Sequence, residues 1–380
     1  MKTKQLIIRD KNSFTEAITQ LQPAGFDLHF VFADKSYFED ETISGKIKST
    51  FIGSMVAGCS TSGEIHGTNL NENTFSVTSV KFDQTPLKKV SYVIDSADDS
   101  FKAGAFLANA LKKDDLRHVF ILSDGLFVNG TELLEGLNSV FDKTVNISGG
   151  LAGDNVAFVK TYVADNENNF VSHCVSAIGF YGNHIISECG SYGGWDSFGI
   201  DRMVTKSKSN IVYEIDNQPA LDLYKSYLGE KAAELPGSAF YFPIEMRENE
   251  FSEPLVRTIL GINESEKSIT FAGNVPENSY VRLMKTNVNR VIEGANKSAQ
   301  IIKGNLTEEP ELVILISCVG RKIVLKQLTQ DEVEAVTENF NKKTNFAGFY
   351  SNGEISKMKF VESCKLHNQT MTITAFSEKP

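Results

Sequence analysis

The sequence has little of what marks secreted, membrane-spanning or nucleic-acid-binding proteins. No stretch of its 380 residues reaches the roughly 20 apolar residues that a membrane span requires. The N-terminus lacks the apolar core of a secretory signal. The net charge of −10 argues against non-specific nucleic-acid binding, which needs a basic surface. We therefore expect a cytoplasmic protein with no membrane span and no nucleic-acid partner.

Metal and disulfide patterns are also lacking. The five cysteines are scattered, odd in number and never form C-x-x-C, which predicts free thiols in a reducing compartment. The six histidines form neither H-x-x-x-H nor H-E-x-x-H, so we predict no metal site. The absence of C-x-x-C-H excludes covalent c-type haem. The sequence thus gives no positive sign of a cofactor.

What the sequence does contain is one order of elements, repeated three times. Each copy has an apolar strand, a helix, a glycine loop followed by an acidic residue, and a closing strand. The predicted helices lie near residues 42–51, around Leu133 to Phe141, and from Thr329, where Thr329 and Glu332 predict a capping box. In the last two copies a further strand and helix come first, with strands at 91–94 and 279–282 and helices at 101–111 and 288–302.

These patterns predict an α/β fold. Apolar strands alternating with amphipathic helices favour mainly parallel pairing under a cover of helices. The alternating strands after each glycine loop favour antiparallel, half-exposed additions. A glycine-rich turn at 190–199 around Trp195 precedes a boundary near Ser207, and a strand from Ile211 and a helix at 220–228 follow it. No low-complexity linker marks the boundary, so we expect two closely packed halves, residues 1–207 and 208–380. The fold class is then mixed sheets built from repeated strand–helix–strand–glycine-loop units.

The three glycine loops are the candidate ligand site. Glycine allows positive φ and close approach of a ligand, and loops at strand ends beside a crevice often bind one. Each loop is followed by an acid, namely Glu64, Asp154 or Glu354. None ends in Gly-Lys-Ser/Thr, and none reads G-x-G-x-x-G into a helix, so phosphate cradling is not expected. Tight turns with carboxylates that cap backbone N–H groups explain the same pattern.

Two features suggest a catalytic nucleophile, but neither forms a complete catalytic motif. The segment from Gly58 to Ser62 resembles a nucleophile elbow but has Ser62 where a closing glycine belongs. Cys318 ends a buried strand just before Arg321, whose charge could lower the pKa of the thiol. Its counterparts in the other copies are Asp34 and Asp124, which indicates a polar position facing the crevice. A buried, inert cysteine fits as well, and we expect no enzymatic activity.

Taken in order, these motifs resemble the FIST sensory domain. The segments that carry the resemblance are Gly58–Ile65, Gly149–Asp154, Gly194–Trp195, Cys318–Arg321 and Gly348–Ile355. The resemblance covers nearly the whole chain, with a FIST N part to about residue 207 and a FIST C part beyond it. It implies a signal-input module that binds a small ligand, with amino acids as the proposed class. It also implies signalling partners such as histidine kinases or cyclic-dinucleotide enzymes. No segment is left over for an output domain, so we expect a separate partner.

The resemblance leaves three functional hypotheses open. In the first, the loop acids bind the ammonium of an amino acid, and Arg321, Arg257 or loop N–H groups bind its carboxylate. Arg257 could instead be a solvated strand residue, as could Arg282. In the second, as in some relatives, the protein binds haem and senses nitric oxide, with His66 beside a glycine loop as a candidate ligand. In the third, it is an interaction module without a ligand. The predicted ligand-binding residues are Ser60, Thr61, Glu64, Gly153, Asp154, Trp195, Cys318, Arg321, Ser351 and Glu354.

Overall fold

A computed structural model describes residues 1–21, 25–357 and 363–379. Within these residues the α-helices are α1 (Phe14–Thr19), α2 (Glu41–Thr50), α3 (Ser100–Leu111), α4 (Gly130–Asn138), α5 (Ala220–Leu228), α6 (Val288–Asn305), α7 (Val319–Leu325) and α8 (Thr329–Thr337). Short 3₁₀ helices cover Lys11–Ser13, Lys35–Tyr37, Ala97–Asp99, Gly229–Glu234, Gly237–Tyr241 and Lys326–Leu328.

The strands, in chain order, are β1 (Lys2–Ile8), β2 (Leu28–Ala33), β3 (Met55–Ser60), β4 (Glu64–His66), β5 (Asn69–Asn71), β6 (Phe75–Lys81), β7 (Leu87–Val93), β8 (Leu116–Ser123), β9 (Asn146–Leu151), β10 (Val163–Ala164), β11 (Phe170–Val171), β12 (Cys174–Tyr181), β13 (Ile185–Tyr192), β14 (Asp196–Lys208), β15 (Ile211–Ile215), β16 (Gln218–Pro219), β17 (Ile244–Arg247), β18 (Leu255–Arg257), β19 (Ile259–Asn263), β20 (Ser268–Phe271), β21 (Tyr280–Lys285), β22 (Leu312–Cys318), β23 (Asn345–Ser351), β24 (Gly353–Ser356), β25 (Lys365–His367) and β26 (Met371–Glu378). The α/β class with mixed sheets is confirmed.

Three six-stranded sheets share one plan, which confirms the threefold repeat. Each has a parallel pair at its centre, formed by β2 with β3, β8 with β9, or β22 with β23. The strand that closes the unit lies antiparallel beside the first of the pair, as β6, β12 or β26. An edge strand follows, as β1, β7 or β13. We call these unit 1 (residues 1–81), unit 2 (87–181) and unit 3 (185–192 with 288–378).

Each unit completes the sheet of another unit with a hairpin. The hairpin β4–β5 of unit 1 joins β23 of unit 3. The hairpin β24–β25 of unit 3 joins β9 of unit 2, and β10–β11 of unit 2 joins β3 of unit 1. The exchange therefore runs once around a closed ring of three units.

The sheets face one another across a central apolar core. Their inner faces contribute aromatic and aliphatic side chains from all three units, including Phe30, Phe120, Phe180, Phe349 and Phe376. Helices cover the outer faces, with α1 and α2 on unit 1, α3 and α4 on unit 2, and α6 and α8 on unit 3. Each sheet is consequently buried on both sides.

That burial corrects two expectations about the strands. Pairing is not mainly parallel, because each six-stranded sheet has a single parallel pair among its five pairings. The strands after the glycine loops are not half-exposed, since β12 is buried throughout and β6 and β26 are buried up to their last residue. Polar side chains of β6 and β26 hydrogen-bond inside the protein. Thr374, for example, donates to Ser148 of unit 2 at 2.8 Å.

An eight-stranded antiparallel sheet, β14 to β21, is inserted between β13 and α6. It packs around its own core with α5, and we call it the inserted domain (residues 196–285). The predicted division at 207/208 falls inside β14, which pairs with β15 on one side and β21 on the other. The strand equivalent to β7 of unit 2 is β13, not the predicted 279–282, because the insertion separates β13 from α6.

Three local predictions were also wrong. The capping box at α8 is not formed: the Thr329 hydroxyl donates to the Lys326 carbonyl, and the Glu332 carboxylate turns to Arg321. The turn around Trp195 is shorter than 190–199, because β13 runs to Tyr192 and β14 starts at Asp196. Helix α7, directly after Cys318, was not predicted at all.

The other predicted helices agree with α2, α3, α4, α5 and α6 to within a few residues. In the part of the chain that the structure describes, no helix combines the length and apolar character that a membrane crossing needs.

Candidate functional site

The three glycine loops meet where the units join. The Ser62 N–H donates to the Tyr350 carbonyl at 2.9 Å, and the Gly153 N–H donates to the Ser60 carbonyl at 2.9 Å. The Asn352 N–H completes the set by donating to the Leu151 carbonyl at 3.2 Å. Each loop is thus tied to a different unit, so the predicted loop residues are brought together around the axis of the ring.

Glu64 and Glu354 make equivalent contacts. Glu64 accepts from the Thr61 hydroxyl at 2.5 Å and from the N–H and hydroxyl of Thr74 at 3.0 and 2.7 Å. Glu354 accepts from the Ser351 hydroxyl at 2.7 Å and from the N–H and hydroxyl of Thr370 at 3.1 and 2.9 Å. Each carboxyl group therefore ties its glycine loop to the start of the closing strand of its unit.

Burial dominates the charge state of both groups. It raises the pKa of Glu64 from 4.5 to about 7, against hydrogen bonds from Thr61 and Thr74 that lower it. It raises the pKa of Glu354 to about 8, against similar hydrogen bonds from Ser351 and Thr370. Near neutral pH these acids are therefore poor partners for a ligand ammonium.

Asp154, the third loop acid, has another set of partners. It is fully buried, accepts from the N–H groups of Phe158, Val159 and Lys160 at 2.7–3.1 Å, and lies 3.6 Å from the Lys35 ammonium. Gly153 beside it packs so closely that a Cβ there would lie 2.5 Å from the Ser62 hydroxyl. The Asp154 carboxylate is thus already bonded to groups of the protein itself.

Arg321 holds unit 3 together. It is fully buried and pairs with Glu332 at 2.5 Å, while Glu332 also accepts from the Tyr350 hydroxyl at 2.8 Å. Its other N–H groups donate to the carbonyls of Gly193, Gln369 and Val291. Trp195 donates to the same Gln369 carbonyl at 3.1 Å. The Arg321 guanidinium and the Trp195 indole N–H thus donate to backbone carbonyls of the protein itself.

A cavity of about 250 Å³ lies beside the loops, where units 2 and 3 meet the inserted domain. Unit 2 contributes the segment 125–130 and Leu151, unit 3 contributes 318–320 and Asn352, and the inserted domain contributes Thr258 and 271–273. The volume lies below the range of about 300–1,000 Å³ usual for drug-sized ligands, which suits a small molecule. This crevice between the repeat units and the inserted domain is the candidate site.

The mouth of the cavity is apolar and open to solvent. Leu126, Phe158 and Leu260 line it and are 38%, 38% and 45% exposed. Large apolar side chains left in water around a concavity are typical of a binding site. Asp124 shapes the rim by accepting from the N–H groups of Leu126 and Phe127 at 2.9 and 2.8 Å.

Two polar atoms in the cavity wall lack partners. The Thr258 hydroxyl and the Asn352 side-chain oxygen are buried and have no hydrogen-bond partner among the described residues. Thr258 is 3% exposed. An unsatisfied buried polar group costs about 1–3 kcal/mol, so two in one cavity call for an explanation.

Of the described residues that line the cavity, Cys318 alone belongs to the predicted ligand set. Cys318 lines the cavity but is itself buried, and burial raises the pKa of its thiol far above the ordinary value, with Arg321 opposing this only weakly. The other nine predicted residues lie outside the cavity, and their ligand role stays a prediction.

The sequence did hold a signal for part of the wall. Asn352 lies between the predicted residues Ser351 and Glu354, and the segments 125–130 and 319–320 directly follow the crevice positions Asp124 and Cys318. The contributions of the inserted domain had no such signal.

Arg257 lies behind the wall. Its side chain is 2% exposed and packs on Gly273, so it is not a solvated strand residue, whereas Arg282 is partly exposed and pairs with Asp201 at 2.7 Å. Arg257 donates to the carbonyls of Asn274 and Leu366 at 3.1 and 3.0 Å. It therefore links the inserted domain to the hairpin of unit 3, and burial lowers its pKa to about 10.

A second cavity, of about 100 Å³, lies inside the inserted domain and is lined mainly by apolar and aromatic side chains such as Phe198, Leu223 and Ile269. Phe271 lines both cavities. None of the described residues lining either cavity is a histidine, and His66 instead bonds to the Ser76 hydroxyl at 2.9 Å.

Comparison with known proteins identifies the family. The FIST N domain matches residues 27–218 and the FIST C domain matches residues 220–357. The uncharacterized protein MJ1623 of Methanocaldococcus jannaschii is 24% identical over 233 residues, which cover 58% of this chain and 44% of that protein. The crystal structure of cyanuric acid hydrolase from A. caulinodans aligns over 99% of both chains with a TM-score of 0.37 and 8% identity. With its two domain models covering most of its length, the chain belongs to the FIST family of sensory domains.

Proposed function

We propose that the protein is a cytoplasmic sensor that binds a small ligand in the 250 Å³ cavity and passes the signal to a separate signalling protein. The observation that carries the proposal is the position of the cavity, whose wall is shared by units 2 and 3 and the inserted domain. A ligand there contacts the repeat units and the inserted domain at once, so its binding energy stabilises one arrangement of them over others.

Membership in a family of sensory domains supports the signal-input role. A binding role is favoured over catalysis, because the one thiol in the wall is buried and its pKa is raised. A histidine kinase or a cyclic-dinucleotide enzyme is the class of partner we propose. Recovery of such a protein from native lysate, dependent on an added ligand, is the expected result of a pull-down.

The contacts between the inserted domain and the repeat units give the signal a physical route. Asn129 at the start of α4 and Asn274 in the inserted domain join side chains at 2.9 Å, and Arg257 reaches from the inserted domain to Leu366. Ligand contacts made on both sides add to these links. A partner that recognises the joined arrangement would then read the presence of ligand.

The test is thermal unfolding of the whole protein against a panel of amino acids, short carboxylates, neutral amides and haem. A ligand at 100 times its dissociation constant adds about 2.7 kcal/mol of stability. Ala97→Trp, at the rim of the cavity, should abolish the shift, whereas Ala233→Trp, at an exposed position of the 3₁₀ helix Gly229–Glu234 in the inserted domain, should not. A shift caused by haem with a Soret band would favour the gas-sensor hypothesis. No shift with any compound would favour an interaction module.

A further inference from the structure

The wall of the 250 Å³ cavity carries no charge among its described residues. Four phenylalanines supply flat apolar surfaces, and four asparagines supply amide groups. The phenylalanines are Phe127, Phe158, Phe240 and Phe271, and the asparagines are Asn129, Asn210, Asn352 and Asn368. Burying an unpaired charge in such a site is costly, so the wall selects against free ammonium and carboxylate groups.

Most of the amides in the wall are already engaged. Asn129 caps α4 and donates to Asn274, Asn210 donates to the Phe271 carbonyl at 2.8 Å, and Asn368 donates to the His367 carbonyl at 3.0 Å. Asn352 donates to the Gly125 carbonyl at 3.4 Å, but its side-chain oxygen has no partner in the described structure. Among the buried side-chain polar atoms of the wall, the Asn352 oxygen and the Thr258 hydroxyl, which can donate or accept, are therefore the two left without a partner in the described structure.

Two charged side chains next to wall residues, those of Arg257 and Asp124, do not alter this chemistry. Arg257 directs its donors to backbone carbonyls. Asp124 accepts from three backbone N–H groups, those of Leu126, Phe127 and His173. The acids once expected to hold an ammonium are likewise bound to their own loops, so a zwitterion entering the cavity would find no side chain of opposite charge in the wall.

We propose that the cavity takes an uncharged, planar ligand of the carboxamide or N-heterocycle class, with an N–H donor for Asn352 and an acceptor for Thr258. This inference rests on the proposed function, because it assumes that the cavity is the ligand site. The flat body of the ligand lies between the phenylalanine rings, where stacked aromatic pairs are worth about 0.5–1.5 kcal/mol beyond their area. The ligand then satisfies both polar atoms that the protein leaves unpaired.

The experiment compares three probes of similar shape but different charge: benzamide, benzoate and benzylamine, with glycine and phenylalanine as zwitterions. Binding to the full chain is followed by calorimetry and by the melting temperature. We expect benzamide to bind more tightly than the four charged probes. Thr258→Val should weaken benzamide about fivefold, the loss of one hydrogen bond, whereas Thr258→Ser should restore the affinity. Ser176→Ala is the matched control, because the Ser176 hydroxyl is also buried and unpaired but lies outside the cavity.

Each contrary outcome has its own meaning. A charged probe that binds more tightly than benzamide, with an affinity that Thr258→Val reduces, overturns the ligand class and leaves the proposed function standing. Benzamide binding that Thr258→Val leaves unchanged overturns the assignment to this wall. Failure of every probe to bind, with the protein folded, overturns the inference, and failure of the wider panel as well overturns the proposed function.

Discussion

The side-chain amide of Asn129 donates to the side-chain oxygen of Asn274 across the joint between unit 2 and the inserted domain, at 2.9 Å. Asn274 also donates to the Glu132 carboxylate at 3.0 Å, and its N–H donates to the Thr131 hydroxyl at 3.1 Å. The first turn of α4 is thereby fastened to the loop that ends the cavity wall.

Replacing Asn274 with alanine should loosen this joint. The change removes two side-chain hydrogen bonds and leaves the Asn129 amide without its partner, so we expect a loss of about 1–2 kcal/mol of stability in urea unfolding. Asn289→Ala, an exposed position near the start of α6, is the control and should change stability by less than about 0.5 kcal/mol. Equal effects of the two changes would show that the Asn129–Asn274 contact contributes nothing.

Glu354 should make the stability of the protein depend on pH. Its folded pKa is raised from 4.5 to about 8, so the folded state holds a proton that the unfolded state has released in this window. The stabilising contribution is complete below pH 4.5 and is lost as pH rises through about 8. Glu354→Gln mimics the protonated acid, so its free energy of unfolding should rise relative to that of the wild type as the pH increases from 5 to 8.5.

Urea unfolding at several pH values measures this difference. Glu64→Gln offers an internal comparison, because the pKa of Glu64 is raised only to about 7. The stability of this variant relative to the wild type should therefore stop rising about one pH unit lower than that of Glu354→Gln. A gap between wild type and Glu354→Gln that stays constant with pH would contradict the prediction.

Gly149 should not tolerate a side chain. It has φ +150°, and a Cβ there would lie 1.8 Å from the Ile121 carbonyl oxygen of the neighbouring parallel strand. Gly149→Ala should therefore cost at least about 3 kcal/mol or prevent folding, by strain at a special backbone conformation and steric overlap. Gly304→Ala, in α6 with open space around it, should instead stabilise the protein by about 0.4–1 kcal/mol. Thermal unfolding compares them, and a harmless Gly149→Ala would contradict the geometry.

Arg321 and Glu332 form a fully buried ion pair, so removing one partner should cost more than removing both. Arg321→Met alone leaves a buried carboxylate without its cation and should cost about 3–5 kcal/mol. The double change with Glu332→Gln should recover part of that loss. The exposed pair of Lys231 and Glu234 is the control, where each single change should leave the stability nearly unchanged. Additive losses in a double-mutant cycle at Arg321 and Glu332 would contradict the coupling.

Local pattern was enough to predict the repeat. Strand, helix and glycine loop recur within about 60 residues, and their apolar spacing shows in the sequence without knowledge of the fold. The acids were also found, since Glu64 and Glu354 follow their loops directly. Their partners Thr74 and Thr370 lie ten and sixteen residues further on, so the capping role could only be named as an alternative.

The exchange of hairpins could not be predicted, because it depends on closure of the whole ring. Ile65 pairs with Gly348, nearly three hundred residues away, and nothing in three-residue strands such as β4 specifies that partner. The same burial hid the nature of β26. Its alternating threonines look solvent-exposed in sequence, but they are buried, and Thr374 bonds to Ser148 of unit 2 inside the core.

Most of the cavity escaped prediction for a related reason. Thr258 and Phe271 belong to the inserted domain, which has no counterpart in the other units, so no repeat drew attention to them. Phe271, at the end of β20, also looks like an ordinary core residue. Only its place between two cavities distinguishes it.

The ring of exchanged hairpins has a consequence for synthesis on the ribosome. Strand β9 ends at Leu151, but its neighbour β24 starts at Gly353, so roughly 200 residues must be made before that edge can be covered. At about 5–20 residues per second, the nascent chain carries an unpaired strand edge for roughly 10–40 seconds. Uncovered edges attract other strands, so the emerging protein depends on protection that the finished ring no longer needs.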